Sequence, residues 1–336
     1  MLDALAEAPA LYRPSTFWSQ LNRRHLQELD QGGFDNFKRT LSLKYFTWRT
    51  LGILRHQLLP VSAAWGRAPS LDVFRSEFLD WKASPGVPGS FNPLTAQLYK
   101  VFVSMLAERV ERDDSLGLFR TLEEPVVGNP FRVRYKGRWL SQDLCNSIHE
   151  LYSILGREGQ LDRDRRLHFA EIGAGYGRLA DVVLRALPNA SYCIVDIPPA
   201  LYVSQRYLST VFPDERIFRF RDFRSYQGVR AEFESARIRF LEPHQLELLP
   251  SKAFDTFVHI SSLHEMTREQ IGRYLDLTDR LCRGRVYLKQ WTVSRAGVNG
   301  FVIPESEYPI PRSWQRVYHE RHPIQRMFFH ALYRTG

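Results

Sequence analysis

The chain has 336 residues, 44% of them hydrophobic, and a formal net charge of +9; that apolar content sustains one large or two medium packed domains and excludes disorder as the default state. No apolar run approaches the roughly 18 to 20 residues that a membrane span needs, and Met1-Leu2-Asp3-Ala4 lacks the basic start of a signal peptide, so a soluble, cytoplasmic protein with no membrane partner is expected. The positive charge is spread along the chain rather than gathered in a block, which argues against a nucleic-acid partner, and Cys145, Cys193 and Cys282 form no CxxC pair of the kind that holds zinc.

Residues 1–127 read as a helical N-terminal region. Phe17, Leu21, Leu26, Leu29, Phe34 and Phe37 recur at three- to five-residue intervals, breakers cluster at Pro85-Gly86-Val87-Pro88-Gly89, and a second helical stretch runs through Leu94, Leu98, Val101, Met105 and Leu106. Such a region is expected to cap an acceptor pocket or to supply a homodimer contact. Residues 128–336 read as an α/β domain. Residues 132–139 suggest a short hairpin, and Ser141 is placed to cap a helix over 142–155, with Asp143 in its first turn. From Leu167 onward short apolar runs alternate with helical periods, the signature of a parallel sheet flanked by helices. Strands are expected at 167–172, 191–195, 238–241, 256–261 and 285–290, and helices at 178–187, 200–211 and 267–281. Two antiparallel strands, 314–319 and 327–333, should close the sheet.

The stretch Glu171-Ile172-Gly173-Ala174-Gly175-Tyr176-Gly177-Arg178 stands where the first strand of that sheet gives way to a helix. Glycines there allow a sharp turn and a close ligand approach, and the helix N-terminus presents free N–H groups. A dinucleotide fingerprint would place a third glycine at Arg178, and Glu171 would repel a pyrophosphate. The same carboxylate suits a cationic ammonium, which S-adenosylmethionine carries in place of phosphate. Asp196, 19 residues beyond Gly177, ends the second strand and can accept both ribose hydroxyls, or can start the turn at Ile197-Pro198-Pro199. His244 and Gln245, after the third strand, can read the adenine edge or simply occupy a surface loop. Together Glu171, Gly173, Gly175, Gly177, Asp196, Ile197, His244 and Gln245 form the expected S-adenosylmethionine site, with an NAD enzyme disfavoured.

On the stretches Phe34-Asp35-Asn36-Phe37-Lys38-Arg39, Ser141-Gln142-Asp143-Leu144-Cys145-Asn146-Ser147, 171–179, Val195-Asp196-Ile197-Pro198-Pro199 and His264-Glu265-Met266, the chain resembles the bacterial sugar O-methyltransferases of polysaccharide and natural-product pathways. That resemblance implies a class I methyltransferase core, a Rossmann-like and mostly parallel sheet with an antiparallel C-terminal strand, behind a helical N-terminal extension. It also implies a sugar or glycoside acceptor. Where the family pattern often has glutamine before Glu-Met, this chain has His264.

Methyl transfer from a sulfonium is an in-line displacement, and an alcohol nucleophile must also lose its proton. His264 and Glu265 follow the fourth strand, beside the expected methyl position; His264 can serve as the base, with Glu265 orienting it or binding a sugar hydroxyl, or the pair can cap the next helix. Tyr176, Lys289 and Gln290 are candidate acceptor-binding groups, and His259 reads as a core histidine. Gln142 and Asn146 can contact the cofactor carboxylate or the sugar, or belong to ordinary capping. No carboxylates cluster at a strand end, so no essential metal is expected. The rival readings are an O- or N-methyltransferase of a non-sugar small molecule and a catalytically silent cofactor-binding subunit.

Overall fold

The structure, a computed structural model, describes residues 1–41, 57, 61–62, 93–155, 166–294 and 302–336. The breaker cluster at 85–89 and the side chains of Phe17 and Leu94 lie outside what is described. The helices are α1 (Leu2–Glu7), α2 (Thr16–Gly32), α3 (Phe37–Thr40), α4 (Pro93–Glu111), α5 (Leu118–Thr121), α6 (Gln142–Leu155), α7 (Arg178–Ala186), α8 (Ala200–Val211), α9 (Arg230–Ser235) and α10 (Arg268–Leu281). The strands are β1 (Val133–Tyr135), β2 (Arg138–Leu140), β3 (His168–Ile172), β4 (Ser191–Val195), β5 (Ile217–Phe218), β6 (Ile238–Leu241), β7 (Phe254–Ile260), β8 (Cys282–Trp291), β9 (Val293–Ser294), β10 (Ile303–Pro304), β11 (Gln315–Arg321) and β12 (Phe328–Arg334). The chain divides into two compact units, one of Met1–Arg23, Ile154–His322 and Met327–Gly336, the other of Arg24–Ser153 and Pro323–Arg326.

Among its described residues, the second unit is helical apart from the antiparallel β1–β2 hairpin. Its α6 starts where expected because Ser141 Oγ accepts the Leu144 amide at 3.0 Å, satisfying one of the free N–H groups of the first turn. Ser141 is itself held: its hydroxyl donates to Glu124 Oε2 at 2.7 Å, and Glu124 Oε1 pairs with Lys38 Nζ at 2.6 Å. Both charged side chains of that pair are buried, so removing either partner alone would strand the other charge away from water.

The first unit is built on an eight-stranded sheet in the order β11-β12-β8-β7-β3-β4-β6-β5. Strands β5, β6, β4, β3, β7 and β8 pair in parallel, while β12 runs antiparallel to both β8 and β11. This is the strand arrangement of a class I methyltransferase. Every residue of β4 and β6 is buried, which is why these strands read as unbroken apolar runs rather than alternating ones. Helix α10 begins at a capping box in which Thr267 Oγ1 accepts the Gln270 amide and the Gln270 side chain accepts the Thr267 amide. The chain order reverses between β3 and β7, so the carboxyl ends of β3, β4, β6 and β7 meet at one edge, where an open α/β sheet holds its ligand.

Candidate functional site

Beyond β3 the backbone takes positive φ at Gly173 (75°), Gly175 (59°) and Gly177 (86°), the left-handed region that only glycine enters without strain. Space is short as well: a Cβ on Gly173 would stand 2.4 Å from Ser262 Cβ. Asp196, at the end of β4, closes the turn from the neighbouring strand. Its Oδ2 accepts the Gly175 amide and its Oδ1 the Ile197 amide, each at 2.8 Å. Burial pushes this carboxyl up to about 7 against the lowering effect of the two amides, and the negative charge of Glu265 adds to the rise. Glu171 is buried at the foot of the same turn, with Oε2 accepting the Tyr192 hydroxyl at 2.7 Å.

At the end of β6 stands a carboxylate that the sequence reading passed over. Glu242 has no solvent exposure; its side chain faces the Gln245 backbone amide in a capping box, and neither carboxylate oxygen makes a hydrogen bond of ordinary geometry among the described residues. The Nδ1 of His244 lies 3.7 Å from Glu242 Oε2, and burial, with the charge of Asp222 adding to it and the Met1 ammonium opposing it, pushes the Glu242 carboxyl up to about 7. His244 is half-buried, its Nδ1 also lacks a hydrogen-bond partner, and burial holds its imidazole below the ordinary range. Gln245 is fully buried, its amide spent on the Glu242 N–H and the Arg221 carbonyl, each at 2.9 Å. Ser262, pressed against Gly173, keeps a buried hydroxyl without a partner. Glu242, His244 and Ser262 each follow a strand that ends at this edge, so a ligand seated there can supply bonds that the described residues do not.

His264 sits in the short turn Leu263–Glu265 after β7 and is 4% exposed. Its Nδ1 lies 3.1 Å from Gln290 Oε1, and its Nε2 lies 3.6 Å from Glu265 Oε1. Ser294 Oγ donates to the His264 carbonyl at 3.0 Å, which ties the turn to β9. The imidazole packs beside Trp291, with ring centres 5.3 Å apart, and Phe328 stands 6.5 Å away. The indole Nε1 of Trp291 is another buried donor without a partner among the described residues.

The other expected groups are engaged with neighbours of their own. Tyr176 is buried edge-on against Tyr207 of α8, with centroids 5.2 Å apart. Lys289 points to the opposite face of β8 from Gln290 and places Nζ 5.3 Å from the Phe328 ring. Both ends of the Gln290 amide are engaged within the protein, by His264 and by the His259 carbonyl. His259 is a core residue whose Nε2 meets the Thr278 hydroxyl at 2.9 Å, and burial lowers it to about 3. Gln142 and Asn146 belong to the helical unit, where Gln142 Nε2 donates to Gln57 and the buried Asn146 Oδ1 has no partner among the described residues. Among the described residues no group of three or more His, Cys, Asp or Glu side chains is arranged to hold a metal ion.

The residues present fit a nucleoside. Asp196 offers carboxylate lone pairs to vicinal hydroxyls, and Glu242 offers carboxylate acceptors to an amine. No family model matches the chain, and no curated protein matches it in sequence. Similar solved structures are methyltransferases. The mitomycin 7-O-methyltransferase MmcR is 14% identical with a TM-score of 0.37, over 52% of this chain and 51% of that one. The DszA carbon methyltransferase is 15% identical with a TM-score of 0.36, over 57% of this chain and 53% of that one. The magnesium protoporphyrin IX methyltransferase ChlM from Synechocystis PCC 6803, solved with bound SAM, is 14% identical with a TM-score of 0.36, over 52% and 72%. The chain spans about half the length of the first two.

Proposed function

We propose that this chain is an S-adenosylmethionine-dependent O-methyltransferase whose acceptor is a hydroxyl of a sugar or glycosylated small molecule. One observation carries the reading. His264 and Glu265 stand at the sheet edge that also holds the glycine turn and Asp196, with Nε2 and Oε1 3.6 Å apart, close enough for one hydroxyl seated beside the pair to donate to either group. The resemblance to sugar O-methyltransferases supports the acceptor class, as does Trp291, whose ring and unpartnered N–H beside His264 suit a polar molecule with a flat apolar face.

When bound, the cofactor supplies an electrophilic methyl group on a sulfonium. The chain's own residues do the rest. Asp196 and the amides of the glycine turn hold the ribose, and Glu242 with His244 receives the base. Nε2 of His264 takes the proton of the acceptor hydroxyl as the new carbon–oxygen bond forms, while Glu265 orients that hydroxyl and balances the imidazolium. The burial of Glu242, Ser262 and His264 excludes water that would compete for the methyl group. No step calls for a metal ion.

The test is incubation of the purified protein with isotope-labelled S-adenosylmethionine and a panel of sugars, glycosides, phenols and amines, with mass-spectrometric location of the methyl group. Oxygen methylation of a sugar hydroxyl is the expected outcome. Turnover on a phenol or amine alone would replace the acceptor class, and cofactor binding without turnover on any acceptor would mark a silent subunit.

A further inference from the structure

Gln290 is buried with no solvent exposure, yet it stands beside His264 at the sheet edge. Two groups fix which way its amide points. The His259 carbonyl can only accept, so it must face Nε2 of Gln290, and it does so at 2.9 Å. The His264 backbone N–H can only donate, and it faces Oε1 at 3.4 Å. The oxygen is therefore the atom presented to the His264 ring, 3.1 Å from Nδ1. An amide oxygen only accepts, so Nδ1 must carry the proton. Neutral imidazole holds one proton, and Glu265 Oε1, 3.6 Å from Nε2, is too far to draw that proton there by a hydrogen bond, so Nε2 keeps its lone pair.

We infer that Gln290 is a positioning residue that selects the tautomer of His264, keeping hydrogen on Nδ1 and the lone pair of Nε2 free to act as the base. In water the histidine side chain favours the opposite tautomer, so the selection has to come from the fold. The device does the orienting work that a carboxylate does in a Ser-His-Asp triad, but with a neutral group. Its anchor is rigid, because the carbonyl that orients the amide belongs to β7 and the amide to β8, strands paired in parallel at His259–Leu288 and Ile260–Lys289. The Ser294 bond to the His264 carbonyl holds the ring's own backbone against the same sheet edge. The inference rests on the proposed role of His264 for its consequence in catalysis, but the tautomer itself is a property of the resting protein.

The experiment uses the full chain labelled with 15N-histidine. Long-range 1H–15N correlation spectra at pH 8 are assigned by comparison with His264→Gln. A His264 ring protonated on Nδ1 and bare on Nε2 is expected, and a ring protonated on Nε2 overturns the inference. In Gln290→Leu the ring should move largely to the Nε2-protonated form, with kcat reduced by about tenfold to a hundredfold and KM for S-adenosylmethionine unchanged. In Gln290→Glu the neutral acid can donate its O–H to the His259 carbonyl and turn its other oxygen toward Nδ1, which should return the bare Nε2 signal and separate loss of orientation from loss of packing. A leucine variant that keeps the wild-type tautomer overturns the assignment to Gln290. A protein that shows the expected tautomer but methylates no acceptor would leave the inference standing and remove the proposed activity.

Discussion

Asp196 Oδ2 accepts the Gly175 amide at 2.8 Å, so the carboxylate that ends β4 and the glycine turn that follows β3 form a single structural piece. The bond leaves lone pairs of the carboxylate facing the turn, and it makes the shape of the turn depend on the acid. A ligand gripped by one is gripped by the other.

Asp196→Ala should therefore weaken S-adenosylmethionine binding by about ten- to a hundredfold, the worth of charge-assisted hydrogen bonds to the ribose. The pH dependence has a definite sign. Burial raises the carboxyl to about 7, and hydroxyl donors favour its charged form, so affinity should rise as pH increases through about 7 and fall below it. Titration calorimetry between pH 6 and pH 8 measures this. An affinity independent of pH, or unaltered in a folded alanine variant, would remove Asp196 from the ribose site.

Glu242 bears on stability as well as binding. Its carboxyl is raised to about 7 in the folded chain, above the roughly 4.3 of an unfolded chain, so between these values the folded state holds the extra proton. Its contribution to stability is therefore largest at the acid end and is lost as pH rises through about 7. Ligand-free Glu242→Gln should melt higher than the parent at pH 8, by about 2 °C or more, and at nearly the same temperature at pH 5. The variant should also bind S-adenosylmethionine less tightly, since the amide brings no charge. Equal melting temperatures at both pH values would show that the carboxyl is not stranded in the way its surroundings indicate.

Much of this was legible in the sequence, and the misses have a common cause. Strand β4 and helices α6 and α8 fall within the expected bounds because their apolar periods are long and their ends carry caps or turns. The glycine turn and Asp196 were legible because local chemistry demands them. Glu242 was passed over because nothing in its neighbourhood in sequence says that its carboxylate will be left without hydrogen bonds of ordinary geometry. Gln290 read as a group facing the acceptor because strand alternation gives a side chain its face but not its partner, and that partner, His264, is 26 residues away. The grouping of Met1–Arg23 with the sheet has the same character, since it depends on contacts such as the Tyr12 hydroxyl donating to Glu247, which no periodicity records.

Gly173 offers a test of the turn itself. Alanine there must adopt φ near 75° and bring its Cβ to within 2.4 Å of Ser262 Cβ, which together should cost about 2–4 kcal/mol. Urea unfolding would register the loss as a lower midpoint with an unchanged slope. Adding Ser262→Gly to Gly173→Ala removes the clash but not the backbone strain, so the double variant should recover part of the stability and not all of it. Full additivity of the two substitutions would place the residues out of contact.

The base is tested by separating chemistry from folding. If Nε2 of His264 removes the hydroxyl proton, His264→Ala should lower turnover by about 10²–10⁴, roughly 3–5.5 kcal/mol of transition-state stabilisation. Affinity for S-adenosylmethionine should scarcely change, because the groups assigned to the ribose and base lie on Asp196, Glu242 and the glycine turn rather than on the imidazole. His264 also holds its turn through Gln290 and Ser294, so melting temperature is recorded beside the rate. A variant that melts early yet keeps its turnover at saturating substrate would assign the histidine to the fold alone. The proton would then fall to Glu265, whose Oε1 already stands 3.6 Å from the vacated position, and Glu265→Gln would be the variant that loses the rate.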